Sequence, residues 1–168
     1  ANSCMFSAIH WDHNPIPLLY VTVGTGTGTD ADGFFYRCAV ENIIQRNDGS
    51  YRAETVQTIY AETSGKGYVV RMATTKGYTG NAIELTMAVD SEGKISGMDL
   101  NAYPESKDFG AEFPQTFVGQ DSALSDVVIV AGVTYSSVAF RDAVTDGFNA
   151  LIANELVGAG QKGADQIL

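Results

Sequence analysis

Apolar and polar positions alternate with a period of two through the middle of the chain, then switch to three- and four-residue spacing near its end. In "GNAIELTMAVD", Ile83, Leu85, Met87 and Val89 alternate with polar or small residues. That pattern predicts a half-buried strand. "DSEG", Asp90 to Gly93, predicts a turn, and "KISGMDLNAYPE" the return strand, with Ile95, Met98 and Leu100 toward the core. Upstream, "FFYRCAVENII" and "YRAETVQTIYAET" are rich in β-branched and aromatic residues. "NDGS", Asn47 to Ser50, predicts a hairpin turn joining them. "GKGYVVRMATTKGY" reads as a further strand bounded by glycines, completing an antiparallel meander.

From Ser137 the helical period takes over. Phe140, Val144, Phe148, Leu151, Ile152 and Leu156 share one face, and Gly158 and Gly160 are placed to end the helix. "ESKDFGAEFPQTFVGQDS" reads as loop with short helical turns, and "DVVIVAG" as a buried strand or an extended entry to the helix. Residues 1–33 are irregular, with a short strand candidate from Leu18 to Val23. The Gly/Thr alternation that follows lacks the Lys-Ser/Thr ending of a phosphate loop and leads into no helix, so it reads as a turn or an edge strand. The fold class is α+β: an antiparallel sheet, a loop-rich middle and a C-terminal helix packed on the sheet. Residues 64–168 form the core, and residues 1–63 an irregular and β-rich segment of the same domain.

Composition narrows the functional classes. The 168 residues suit one domain with a real core. A formal net charge of −10 excludes nucleic-acid binding by general phosphate neutralisation and gives no attraction to anionic lipid. An anionic ligand therefore needs a local site that works against the overall field. No stretch approaches the ~20 apolar residues of a membrane helix. Beginning at Ala1, the sequence is read as a trimmed chain whose anchor lies outside it. Cys4 and Cys38 allow one disulfide or two free thiols. His10 and His13 flank Trp11 and Asp12, which reads as chance proximity in a turn rather than a metal site. No carboxylates pair for hydrolysis and no serine sits in a nucleophile elbow.

The stretch with the most chemical content is "IVAGVTYSSVAF", Ile129 to Phe140. Ser136 and Ser137 stand where a helix N-cap is wanted. Capping leaves Gly132, Val133 and Thr134 unexplained. A glycine lets backbone approach a ligand, and hydroxyls beside open amides at a helix start suit an anion. Capping and phosphate binding are both open on these residues alone.

"AGVTYSSVAFRDAV" resembles the flavin-attachment motif of the FMN-binding domain, which occurs in the G subunit of Rnf complexes and the C subunit of sodium-translocating NADH:quinone reductases. The motif usually reads Asp-Ala-Ile-Ser/Thr-Gly-Ala-Thr-x-Ser-Ser before a helix. The family fastens FMN to the last threonine through a phosphoester made by a flavin transferase. The resemblance implies Thr134 as the attachment residue, Gly132 as the motif glycine, and Ser136 and Ser137 as the Ser-Ser pair, with Val133 and Tyr135 between them. It extends from near Ser64 to Val157, and places Glu105, Ser106, Phe109 and Gly110 on a loop near the flavin. The chain departs from the motif at Val128, Ala131 and Val133, and in the loop at Lys107, Asp108 and Phe109. Tyr103, Phe109 and Tyr135 are candidates to cover the flavin ring and equally to fill core. Lys107 can tune the ring, and Glu105 can orient the loop or be a plain surface carboxylate.

Taken with the residues, the resemblance implies an electron-transfer module carrying FMN, covalent through Thr134 or noncovalent. Its expected partners are the other redox subunits of a membrane complex and a flavin transferase, with no nucleic acid. Its expected place is the extracytoplasmic face of a bacterial cytoplasmic membrane. It is expected to be a redox subunit or domain rather than a stand-alone enzyme, with no catalytic residues and no metal. The alternative is a flavin-free binding or structural module with a degenerate site.

Overall fold

The computed structural model describes residues 8–10, 18–20, 35–36, 40–62, 65, 67–110 and 112–158, the first three stretches as backbone only. The expected meander is there. Five strands, β4 (Val40–Asn42), β5 (Val56–Glu62), β6 (Gly67–Thr74), β7 (Ile83–Asp90) and β8 (Ile95–Ala102), lie side by side in chain order, each antiparallel to the next. One helical turn, α1 (Glu112–Gln115), follows, and the long helix α2 (Thr134–Ala153) packs back on the sheet against β5 and β6. The α+β class is thus the observed one. Three shorter strands, β1 (Ala8–His10), β2 (Leu18–Tyr20) and β3 (Phe35–Tyr36), form a separate antiparallel sheet. Cys4, His13, Cys38, the Gly/Thr alternation and the extension of β2 to Val23 lie outside the described residues.

The period-two pattern builds the core directly. Ile83, Leu85, Met87 and Val89 are all fully buried on one face of β7 and meet Val70 and Met72 of β6 and Phe140, Val144, Phe148 and Leu151 of α2. The strand is not half-buried as its alternation predicts. Thr86 and Ala88 on the other face are also fully buried. The reason is topological: β1 lies close to both β7 and β8, so the second face of the sheet is covered there. Asp90 closes the expected turn by accepting from the amides of Glu92 at 2.9 Å and Lys94 at 3.0 Å.

Two expected boundaries move. "NDGS" is a turn, since Asn47 accepts from Gly49 N at 2.8 Å and Asp48 from Ser50 N at 2.9 Å, but it is not the hairpin link. It sits inside a longer connection, residues 43–55, between β4 and β5. "FFYRCAVENII" is divided between β3 and β4, which belong to different sheets. The connection is held open because it docks on the end of α2: Arg46 N donates to Asn154 Oδ1 at 2.6 Å and Asn154 Nδ2 donates to Arg46 O at 3.1 Å. The helix also stops before the expected glycines. Glu155 takes a left-handed φ of 60°, its amide bonds Ile152 O at 2.9 Å, and the Leu156 amide bonds Leu151 O at 2.9 Å. That pair of bonds is the Schellman arrangement, built here on a glutamate. "DVVIVAG" forms the extended entry, not a strand, and leaves Val128 exposed.

One buried charge sits in this frame. Asp146 of α2 is 8% exposed, and its Oδ2 has no hydrogen-bond partner, with Arg52 Nη1 3.6 Å away. Burial pushes its carboxyl above the ordinary carboxylate range; Arg52 opposes the shift and Asp142 adds to it. A raised folded value means that the native state holds the proton more tightly. The associated stability is complete below the unfolded value near 3.9 and is lost as pH rises through the folded value. Asp146→Asn, which removes the charge and keeps an acceptor, is expected to gain most in melting temperature relative to wild type at pH 7 and least at pH 4. A gain that does not change with pH would show that charge at Asp146 costs the fold nothing.

Candidate functional site

The start of α2 is where the unusual chemistry gathers. The turn into it closes with Val133 N donating to Val130 O at 3.1 Å, with Gly132 at φ 81°. This left-handed position favours glycine, and a Cβ on Gly132 would point into open space. Helix begins at Thr134, three residues before the apolar period does. Its N-cap is Val133, and no side chain caps it. The expected serine caps are therefore inside the first turn. Thr134 and Tyr135 face outward, whereas Ser136 and Ser137 are 3% and 0% exposed. Ser137 Oγ donates to Val133 O at 2.6 Å, and Ser136 Oγ donates to Glu105 Oε1 at 2.5 Å. Both buried hydroxyls spend their protons within the protein. The Thr134 hydroxyl and the uncapped first-turn amides are left for a ligand.

Glu105 ties this helix start to the loop before β7. Its Oε1 accepts from Tyr78 N at 2.7 Å, and its Oε2 accepts from Thr79 N at 3.1 Å and from the Thr79 hydroxyl. Partial burial, the largest single influence, works to raise its pKa. The bonds from Ser136, Thr79 and Tyr78 together outweigh it and hold the carboxyl below its ordinary range. The tie is therefore charged at neutral pH, and its contribution is lost as pH falls through the lowered value. Gly77 makes room for it: a Cβ there would lie 2.5 Å from Glu105 Oε1 and 3.1 Å from Ile83 Cδ1. Gly77→Ala is expected to displace the carboxylate and cost about 1–2 kcal/mol, the scale of lost charge-assisted hydrogen bonds, measured by urea denaturation. In a Glu105→Ala background the same change should be nearly silent. Equal costs in both backgrounds would place the crowding elsewhere.

A cleft of about 310 Å³ opens over this junction, lined by Ser106, Lys107, Gly132, Val133, Thr134, Tyr135 and Ser136, with Tyr78 opposite. It is at the lower bound of small-molecule sites, roughly 300–1,000 Å³, so it holds part of a ligand and leaves the rest at the surface. Of the residues expected near a ligand, seven meet here: Thr134, Gly132, Val133, Tyr135, Ser136, Ser106 and Lys107. Glu105 stands behind them as the tie, and Ser137 lies beneath. Phe109 turns inward at 5% exposure and packs on Tyr103, Phe113 and Phe140, with centroids at 4.5, 4.8 and 5.6 Å. It anchors the loop from below. Gly110, at φ 89°, leads into α1, its amide held by Asp108 at 2.8 Å. The Tyr103 hydroxyl donates to Lys107 O and steadies the same loop.

Sequence reasoning missed Tyr78, Arg52 and Lys76. The two cations line a second concavity of about 370 Å³ on the other side of Thr134 and Tyr135, together with Asp142. With Lys107, three of the ten Lys and Arg residues of a strongly acidic chain flank Thr134. Arg52 is paired with Asp146, so Lys76 and Lys107 are the cations left to face an anionic ligand. Uncapped amides, an outward hydroxyl, open space above Gly132 and flanking cations together fit a phosphate monoester. Among the described residues no cluster of His, Cys, Asp and Glu suits a metal, and no helix is long and apolar enough to cross a membrane.

Comparison with known families agrees with this geometry. Residues 77–149 match the FMN-binding domain, a span running from the glycine that makes room for Glu105 through most of α2. Curated proteins give no significant match. The segment that builds the cleft, residues 77–149, is thus the part of the chain that matches the FMN-binding domain family, and the match supports flavin binding.

Proposed function

We propose that the chain is an electron-transfer module that holds one FMN with its phosphate at Thr134, joined to the Thr134 Oγ as a phosphoester. The observation that carries this reading is the outward, unpartnered placement of Thr134 at an uncapped helix start, inside a cleft flanked by cations. Attachment breaks the Thr134 Oγ–H bond and one P–O bond of an activated flavin phosphoanhydride, and forms the Oγ–P bond. The proton goes to a base on a flavin transferase, and the leaving phosphate group departs. Once bound, FMN supplies one- and two-electron redox chemistry, while the protein supplies binding, orientation and field. Lys76, Lys107 and the first-turn amides of α2 neutralise the phosphate, and Glu105 keeps the loop and helix together. The module is read as a relay between redox partners rather than a self-contained enzyme. The likeness of "AGVTYSSVAF" to the Rnf G motif supports partners in a membrane complex and a position on the extracytoplasmic face of the membrane.

The test is a visible spectrum of the chain co-expressed with a flavin transferase, followed by intact mass after denaturation. The expected result is a flavin band with a mass raised by FMN less one water. A band without the mass shift would make the site noncovalent, which the departures at Val128 and Ala131 would explain. No band, even after incubation with FMN, would move the assignment to a flavin-free binding module.

A further inference from the structure

Tyr78 and Tyr135 are the two most exposed aromatic side chains among the described residues, 72% and 67% exposed. They come from distant parts of the sequence, the loop before β7 and the first turn of α2. They meet at one place, with ring centroids 6.0 Å apart and planes inclined at 49°, and both line the cleft. Leaving two large rings in water beside each other is unfavourable unless something flat covers them. The two backbone segments that carry them are also tied together. Glu105 accepts from the Tyr78 amide and from the hydroxyl of Ser136, next to Tyr135, so one carboxylate sets both walls.

We infer that Tyr78 and Tyr135 form an aromatic corner against which the flavin ring of the proposed cofactor lies, with Glu105 as the positioning residue. The inference rests on the FMN reading and adds a ring subsite to it. The corner is not a sandwich. A third aromatic layer between two rings needs about 7 Å, twice a carbon–carbon contact distance, and these centroids stand 6.0 Å apart at a tilt. One face of the flavin therefore rests on tyrosine and the other stays at the mouth of the cleft, which is too small to enclose it. An exposed ring face is what electron exchange with a partner requires. The phosphate end and the ring end are then separate: cations and amides hold the first, phenol rings the second.

The experiment is titration of FMN into the full chain prepared without a transferase, read by flavin fluorescence and by the visible band. A phenol in contact with a flavin quenches its fluorescence by passing an electron to the excited ring and taking it back, so darkness reports contact. Wild type is expected to bind FMN and extinguish most of its emission. The Tyr78→Leu/Tyr135→Leu double variant should bind roughly ten- to a hundredfold more weakly, the scale of losing two aromatic pairs, and its bound FMN should be bright. Tyr78→Phe/Tyr135→Phe should keep affinity and lose quenching, because stacking survives and the oxidisable phenol does not. Both positions are exposed, so folding is not at risk. Glu105→Ala should brighten bound FMN with both tyrosines in place, and Glu105→Gln should restore part of the quenching. Wild-type binding without quenching, or a leucine double variant as dark as wild type, would overturn the corner and leave the FMN reading standing. Failure of wild type to take up FMN from solution or from a transferase would overturn both.

Discussion

Thr134→Val is expected to abolish the proposed covalent flavin adduct completely. The substitution keeps the β-branched shape and removes only the hydroxyl, at a position that faces solvent in the first turn of α2. Its effect on folding should therefore stay within about 0.5 kcal/mol, the range of surface substitutions away from special features. Intact mass after co-expression with a flavin transferase should show the unmodified chain alone. Any residual yellow colour should wash out on denaturation. Thr134→Ser should retain the adduct, since the nucleophilic oxygen is still present. Ser136→Ala and Ser137→Ala separate site from scaffold. Their hydroxyls are committed to Glu105 and to Val133 O, so both variants should lose stability yet keep the mass increment. A Thr134→Val protein that still carried covalent flavin would move attachment to another hydroxyl, and peptide mapping would identify it.

Much of the fold was legible because single patterns dictate it. Ile83, Leu85, Met87 and Val89 could only be one face of a strand, and Phe140, Val144, Phe148 and Leu151 one face of a helix. Asp90 to Gly93 could only be a turn. The errors fall where local signals lose to distant contacts. The helix starts at Thr134 although its first three residues precede the apolar period; in that first turn Ser136 and Ser137 are buried and hydrogen-bonded instead of packed as apolar side chains. "NDGS" looks like a hairpin from its own residues, but Asn154, more than a hundred positions away, holds the connection open. Thr86 and Ala88 are buried by a strand near the start of the chain. The site divides in the same way. Thr134, Gly132 and the Ser-Ser pair are adjacent in sequence, and the family motif marks them. Tyr78, Lys76 and Arg52 carry no local mark, since each matters only through its place beside α2. Glu105 had a surface reading as credible as its real one until its four donors could be seen together.

The core under the site should be as consequential as the site itself, and Phe140→Ala is the sharpest test of that. Phe140 is 0% exposed and lies 5.6 Å from Phe109, 5.6 Å from Phe113 and 5.1 Å from Phe117, centroid to centroid. Its ring is the shared neighbour of the loop after β8, the short helix α1 and the segment that follows it. Deleting a ring so enclosed costs about 3–5 kcal/mol. For a chain of this length that is a fall in melting temperature of roughly 6–20 °C, measured by calorimetry or circular dichroism. The effect should reach the cleft, because Phe109 holds Ser106 and Lys107 in place by packing on Phe140 and Tyr103. Phe140→Ala should therefore weaken FMN binding even at temperatures where the variant is folded. Phe140→Leu, which refills most of the volume, should cost less than about 1.5 kcal/mol and keep the affinity. If Phe140→Ala stays folded with undiminished FMN affinity, the loop is held by its polar ties alone: the Tyr103 bond to Lys107 O and the grip of Glu105 on Tyr78, Thr79 and Ser136. If affinity falls with stability, the aromatic core fixes the floor of the cleft, and the proposed phosphate site depends on packing from a part of the chain that never touches the ligand.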